Sequence, residues 1–170
     1  MSLPENDYQI LKLTDDFYNT YSNPPYAEIM KKRQRAYTCI LFQTHYGYFI
    51  CVPYRTEIPH KYAYHFKNSK RSQAHKSGLD YTKIVILTDT KYVDTKDALI
   101  DKDEYNETMI HLEKIKSEAL KYVEDYIAHV KGQNVLHPKE FKRRYWDRAF
   151  SWRGKKVIKR NMDIILKKPK

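Results

Sequence analysis

The stretch VPYRTEIPHKYAYHF, Val52 to Phe66, gathers Arg55, Thr56, His60, Lys61, Tyr62 and His65 directly behind a strand-like apolar run. Imidazoles titrate in the range that acid or base work needs, so His60 and His65 are the candidate proton carriers. Arg55, Lys61 and Lys76 supply positive charge for a phosphate, and the hydroxyls of Thr56 and Tyr62 can donate to its nonbridging oxygens. Glu57 and Asp80 are the only acids between Lys31 and Lys83, too few for two-metal phosphoryl chemistry. The motifs of phosphate-binding loops, dinucleotide folds, zinc proteases and acyl-transfer triads are absent. The reaction that suits such an inventory, with no metal and no cofactor, is RNA cleavage by the ribose's own 2′-OH. It needs a base for the 2′ proton, an acid for the departing 5′ oxygen and cations or hydroxyls around the phosphate. Each residue also has a plainer reading, because loop histidines are commonly surface groups and tyrosines commonly fill cores or cross-strand pairs. Residue types and spacing thus reach a nucleic-acid binder and leave RNA cleavage open.

Charge points the same way. The chain of 170 residues carries 32 Lys and Arg against 21 Asp and Glu, a formal charge of +11. The acids concentrate in Met1 to Met30 and Ile84 to Pro138, whereas Lys31 to Lys83 and Lys139 to Lys170 are basic. Alternating blocks of this kind predict a basic face for a polyanion. Candidate contacts to RNA backbone are Lys31, Lys32 and Arg33 in KKRQR, Lys70 and Arg71 in KNSKRSQAHKSG, and Arg143, Arg144 and Arg148 in the last basic block. The 16 tyrosines offer faces for stacking bases.

These residues need elements to hold them. A hydrophobic share of 41% suffices for one domain over 1–170 with one core, closing in a basic helical segment from about residue 139. No apolar run approaches the roughly 20 residues of a membrane span, and the N-terminus lacks a secretory layout, so a cytoplasmic protein without a membrane partner is expected. A short helix capped by Thr14 or Asp15 is predicted around LKLTDDFYNTYS. Tyr37–Phe42 and Tyr48–Val52 read as a hairpin stopped by Pro53, with Cys39 and Cys51 as buried thiols facing across it. A long loop from Tyr54 to Asp80 follows, then a buried strand at Thr82–Leu87 and a weaker extended segment at Lys91–Asp94. One helix is predicted from about Asp101 to Lys131, with Ile110, Ile115, Ala119, Tyr122, Val123, Ile127 and Val130 as its core stripe. Pro138 opens another, and Val157–Leu166 reads as a last helix. The order is neither a βαβ series nor a bundle, and it predicts an α+β domain with a mostly antiparallel sheet.

Four segments in order, FYNTYSNPPYAEIMKKRQRAY, FICVPYRTEIPHKYAY, SGLDYTKIVIL and FKRRYWDRAFS, resemble the toxin subunits of type III toxin–antitoxin systems, the ToxN/AbiQ superfamily, and most nearly its CptN and TenpN branches. The resemblance implies a compact, strongly twisted sheet flanked by helices, related to the MazF/Kid toxins. It also implies a metal-independent endoribonuclease that leaves a 2′,3′-cyclic phosphate on cellular or phage RNA. A noncoding RNA antitoxin of pseudoknot repeats would inhibit it in a protein–RNA hetero-oligomer, with roles in plasmid maintenance or abortive phage infection. The family's active-site tyrosine best matches Tyr18, with Tyr21 the alternative, and its pre-strand cation matches Arg35. The element after the strand becomes Arg55-Thr56, with its lysine at Lys61 and His60 brought in beside it. Arg-Thr replaces a Thr-Ser pair, which leaves open whether His60 or Lys61 moves protons. Asp80 is assigned to holding its loop through backbone hydrogen bonds.

Two rivals share the features. A binding module would hold structured RNA without cutting it. A DNA-binding regulator would place the helix KEFKRRYWDRAF in a major groove, although no helix-turn-helix spacing accompanies that helix.

Overall fold

The computed structural model describes residues 8–20, 38–44, 47–94, 96 and 98–145. In chain order the elements are β1 (Tyr8–Leu13), α1 (Asp15–Thr20), β2 (Thr38–Gln43), β3 (Phe49–Arg55), β4 (Ala63–His65), α2 (Lys70–His75), β5 (Gly78–Asp80), β6 (Val85–Leu87), β7 (Val93–Asp94), α3 (Lys102–Ile110), α4 (Leu112–Val130) and α5 (Pro138–Tyr145). Every strand pairing is antiparallel, and with its helices the fold is α+β, as the order of elements predicts. The described residues divide into two compact units. One holds those up to Pro53 and from Val85 to Leu99, and the other holds Tyr54–Ile84 and those from Ile100 to Tyr145.

In the first unit, β1 lies between β2 and β7, and β2 pairs with β3, whose other side takes β6. Alternate residues face one core: Leu11 and Leu13, Cys39 and Leu41, Phe49 and Cys51, Val85 and Leu87, closed by Phe17 and Tyr18 of α1. The intervening Ile40, Phe42, Ile50, Val52 and Ile86 are buried as well, so these strands read as near-continuous apolar runs. The predicted helix forms directly behind Thr14, one of its two expected caps, whose Oγ1 accepts from Phe17 N at 3.3 Å. Before it the chain is strand β1. LKL opens the segment around which the helix is expected, but its leucines alternate onto the core face while β2 and β7 satisfy the backbone.

Pro53 does not end β3. It lies where one neighbour gives way to another: β6 pairs with Phe49–Cys51 and β5 with Tyr54–Arg55. No ladder hydrogen bond on that side asks for a donor at Pro53, which is where a strand tolerates proline.

In the second unit the end of β3 pairs with β5, and β5 with β4. The long loop expected from Tyr54 to Asp80 is replaced by β4, α2 and β5. Its backbone is largely satisfied from within: Phe66 N donates to Ser77 O at 3.0 Å and Glu57 N to His75 O at 2.7 Å. Two buried carboxylates of α3 complete it. Glu107 accepts from the N–H groups of Lys67 and Asn68 at 2.9 and 3.0 Å, and Glu104 takes the Arg71 guanidinium and Ser77 Oγ. The expected strand at Thr82–Leu87 shortens to β6 behind a 3-10 turn at Tyr81–Lys83, and Lys91–Asp94 is a 3-10 turn followed by β7.

The single helix expected from Asp101 to Lys131 is two, because the backbone breaks at His111, with φ −110° and ψ 19°. The break turns the stripe, so Ile115, Ala119, Val123 and Tyr126 are buried while Ile110 is 77% exposed and Val130 47%. Gly132, at φ 71°, closes α4 as its position predicts. Pro138 opens α5, whose Phe141 and Tyr145 stack among Tyr122, Tyr126 and His129 of α4. The predicted helix at Val157–Leu166 lies outside the described residues. No helix among those described is long and apolar enough to cross a membrane.

Candidate active site

Asp80, at the end of β5, is a buried carboxylate of the second unit, 1% exposed. Register explains what reaches it. Arg55 of β3 stands opposite Gly78 of β5, so its side chain shares a face with the residue two further on, Asp80. Arg55 Nη1 donates to Asp80 Oδ2 at 2.8 Å. The other oxygen, Oδ1, accepts from Thr82 N at 2.9 Å and Thr82 Oγ1 at 2.7 Å, which caps the 3-10 turn. His60 completes the group, with Nε2 3.5 Å from Asp80 Oδ1 and 3.4 Å from Thr82 Oγ1. Burial by itself would raise the Asp80 carboxyl, but hydrogen bonds from His60 and Thr82 and the charges of His60 and Arg55 outweigh it. The carboxyl is held below the usual range and stays an anion.

His60 comes from the segment between β3 and β4, and its backbone is fixed by His65, whose Nε2–H donates to the His60 carbonyl at 2.8 Å. With Nε2 turned to Asp80, Nδ1 is the ring nitrogen left without a hydrogen-bond partner among the described residues, and it is shielded from solvent.

Tyr62 borders the group, its ring centroid 6.3 Å from that of His60. Lys61 Nζ lies 5.5 Å from the Tyr62 ring centre and the Arg144 guanidinium 5.8 Å from it. The Tyr62 hydroxyl donates to Glu140 Oε1 at 2.9 Å, and Arg144 Nε donates to the same oxygen at 2.8 Å. Burial and then the Glu140 carboxylate push the Tyr62 hydroxyl up, so it serves as a neutral donor.

Of the residues singled out in the sequence, Arg55, His60 and Asp80 therefore share one carboxylate, with Lys61, Tyr62, His65 and Arg144 around them. Thr56 is half-exposed on the turn after β3, and the hydroxyl that joins the carboxylate is that of Thr82. Asp80 accepts from the Thr82 backbone N–H, and it also holds the Arg55 guanidinium and lies beside the His60 imidazole. Lys70, Arg71 and Lys76 lie on or next to α2. The Arg71 guanidinium is taken by Glu104, and Lys76 is an exposed left-handed cap with φ 46°. Arg143 is exposed on α5. Tyr18 lies in the apolar core of the first unit, 6% exposed. Lys31, Lys32, Arg33, Arg35, Arg148 and the alternative Tyr21 lie outside the described residues.

Thr82 and Glu140 were not singled out from the sequence. The signal for Thr82 was present in Asp80-x-Thr82, the spacing of an aspartate that caps its own turn. Nothing local marks Glu140, whose partner Tyr62 is 78 positions away. Among the described residues no three His, Cys, Asp or Glu side chains converge as metal ligands would. No family model, curated protein or solved structure matches the chain.

Proposed function

We propose that the protein is a metal-independent endoribonuclease of the type III toxin kind, acting at the Arg55–His60–Asp80–Thr82 group in the cytoplasm. The observation that carries the reading is the meeting of a guanidinium and an imidazole on one buried carboxylate, beside an aromatic and cationic surround. In the reaction the ribose 2′-OH attacks the adjacent phosphorus, the P–O5′ bond breaks, and a 2′,3′-cyclic phosphate and a 5′-OH are left. Arg55, anchored through Nη1, offers its remaining N–H groups to the nonbridging oxygens as charge builds there. His60 Nδ1 takes the 2′-OH proton and returns it to the departing 5′ oxygen, where Lys61 supplies positive charge. Asp80 touches no substrate in this scheme. It is a positioning residue that keeps Nε2 engaged and stabilises the imidazolium when it forms. The partners implied are cellular or phage RNA as substrate and a folded noncoding RNA as inhibitor.

The shielding of His60 Nδ1 favours a second reading, a module that grips structured RNA without cutting it. Inducible expression of wild type beside His60→Ala and Lys61→Ala, with the 5′ and 3′ ends of cellular RNA mapped, separates the two. Growth arrest with new ends bearing cyclic phosphates, lost in both variants, supports the nuclease. Folded, RNA-binding wild type that produces no new ends overturns it in favour of the binding module.

A further inference from the structure

Glu140 is held more elaborately than a helix-surface acid needs to be. Its Oε1 accepts from Tyr62 OH at 2.9 Å and Arg144 Nε at 2.8 Å, while Oε2 lies 3.2 Å from Arg143 Nη1. Two of these donors are ordinary neighbours along α5, but Tyr62 comes from the segment that also carries His60. Two of the donors, Arg144 and Tyr62, do not depend on Glu140 for their places. Arg144 Nη1 is also paired with Asp125 Oδ2 at 3.2 Å, and the Tyr62 ring is flanked by His60, Tyr122, Lys61 and Arg144. Removing the Glu140 carboxylate therefore leaves the Tyr62 hydroxyl and the Arg144 guanidinium aimed at one vacated oxygen position, with the Arg143 guanidinium beside the other. Such a set matches a phosphodiester oxygen as well as a carboxylate, and both carry one negative charge.

We propose that Tyr62, Arg143 and Arg144 form a cradle for one RNA backbone phosphate, which Glu140 occupies in the free protein and yields when RNA binds. The inference rests on the nucleic-acid reading above and adds an internal competitor to it. Glu140 is suited to that role because its side chain, 26% exposed, can turn to water, and ion pairs open to solvent hold weakly. Bonding from Arg144 first, and then from Tyr62, holds its carboxyl below the usual range, so it competes as an anion at neutral pH. The cradle lies next to His60 across the Tyr62 ring, which places the bound phosphate beside the reacting group and lets it set the register of the strand.

The test is fluorescence anisotropy with a labelled single strand of 2′-O-methyl ribonucleotides, which cannot be cleaved by the proposed route, titrated across a range of salt. Glu140→Gln is expected to bind about 3- to 10-fold more tightly than wild type at low salt, with a salt slope steeper by about 0.7. Glu140→Asp, which keeps the charge but retracts it by one methylene, should gain in the same direction. Glu124→Gln, an equal change of net charge on α4, should gain less than about twofold. Adding Arg144→Gln to Glu140→Gln should abolish the gain, with circular dichroism confirming the fold of each variant. If wild type binds and neither Glu140 variant gains more than Glu124→Gln, the cradle is overturned and the nucleic-acid reading stands. If no variant binds at any salt, both are overturned.

Discussion

Arg55 Nη1 lies 2.8 Å from Asp80 Oδ2, although 25 positions separate the two residues. The contact is a product of sheet register. β3 runs on past Pro53 for two residues, Tyr54 and Arg55, and those two pair with β5. Had proline ended the strand, Arg55 would have left on a loop and the carboxylate two residues beyond Gly78 would have been buried without a guanidinium. The same carboxylate then reaches His60 and Thr82 through its other oxygen, so one buried anion fixes side chains from three parts of the chain.

That dependence is open to titration. The Asp80 carboxyl is held below its ordinary value near about 4, so the folded state takes up this proton less readily than the unfolded chain. Its contribution is complete above about pH 4 and fades as pH falls through the lower folded midpoint. Asp80→Asn should cost about 1–3 kcal/mol at neutral pH, a range discounted because Arg55 is 35% exposed. Urea unfolding midpoints should converge for wild type and variant as pH drops below about 4. Midpoints that remain equally far apart at every pH would show that Asp80 is not the titrating support.

Glu104 gives a second, asymmetric case. It is wholly buried and accepts from Arg71 Nε at 3.0 Å, Ser77 Oγ at 2.7 Å and Ser69 Oγ at 3.3 Å, whereas Arg71 is 36% exposed. Glu104→Ala lets the guanidinium turn to water and should cost about 2–4 kcal/mol, mainly because the Ser69 and Ser77 hydroxyls lose their carboxylate acceptor. Arg71→Ala instead strands an anion in the interior and should cost at least as much. Thermal and urea unfolding of the two variants decide the order. A clearly milder Arg71→Ala would mean that the serines alone carry the carboxylate.

The parts legible in the sequence were those with long, unambiguous patterns. The aromatic and β-branched runs of β2 and β3, the stripe of α4 and Pro138 at the head of α5 could all be found without coordinates. Strands β4, β5 and β6 are three residues each, shorter than one full test of alternation, so the span from Tyr54 to Asp80 looked like a loop. Strand β1 was hidden because LKLTDDFY fits a helical face as readily as a strand. At the site, residue chemistry drew attention to Arg55, His60, Lys61 and Tyr62. Their grouping on Asp80, and the tie from Tyr62 to Glu140, follow from pairings that no local window contains.

Gly78 tests the pairing itself. A Cβ at this position would lie 2.1 Å from the Tyr64 carbonyl oxygen and 3.1 Å from His65 Cα, both backbone atoms of β4. Gly78→Ala must push β4 and β5 apart, at a cost of about 1–3 kcal/mol or more. The displacement begins two residues before Asp80, so the proposed RNA cleavage should fall with it. Hydrogen exchange should quicken at the β4 amides before the β2 amides respond. Unchanged protection of β4 would show that the pair closes around the added methyl.

The two cysteines test the first unit separately. Cys51 stands opposite Leu41 and Cys39 opposite Pro53, so the thiols meet across the hairpin, as expected, as diagonal neighbours on one face. Both are free and fully buried. Burial, and then the hydrogen bond and charge of Cys51, push the Cys39 thiol well above its ordinary range, which suppresses the reactive thiolate. In native buffer at pH 8 an aromatic disulfide reagent should therefore modify neither thiol at the rate of a free cysteine, and both should react at once in urea. Rapid native labelling of Cys39 would mean that the sheet opens locally at β2. Labelling that tracks global unfolding would place β2 and β3 in the most stable part of their unit.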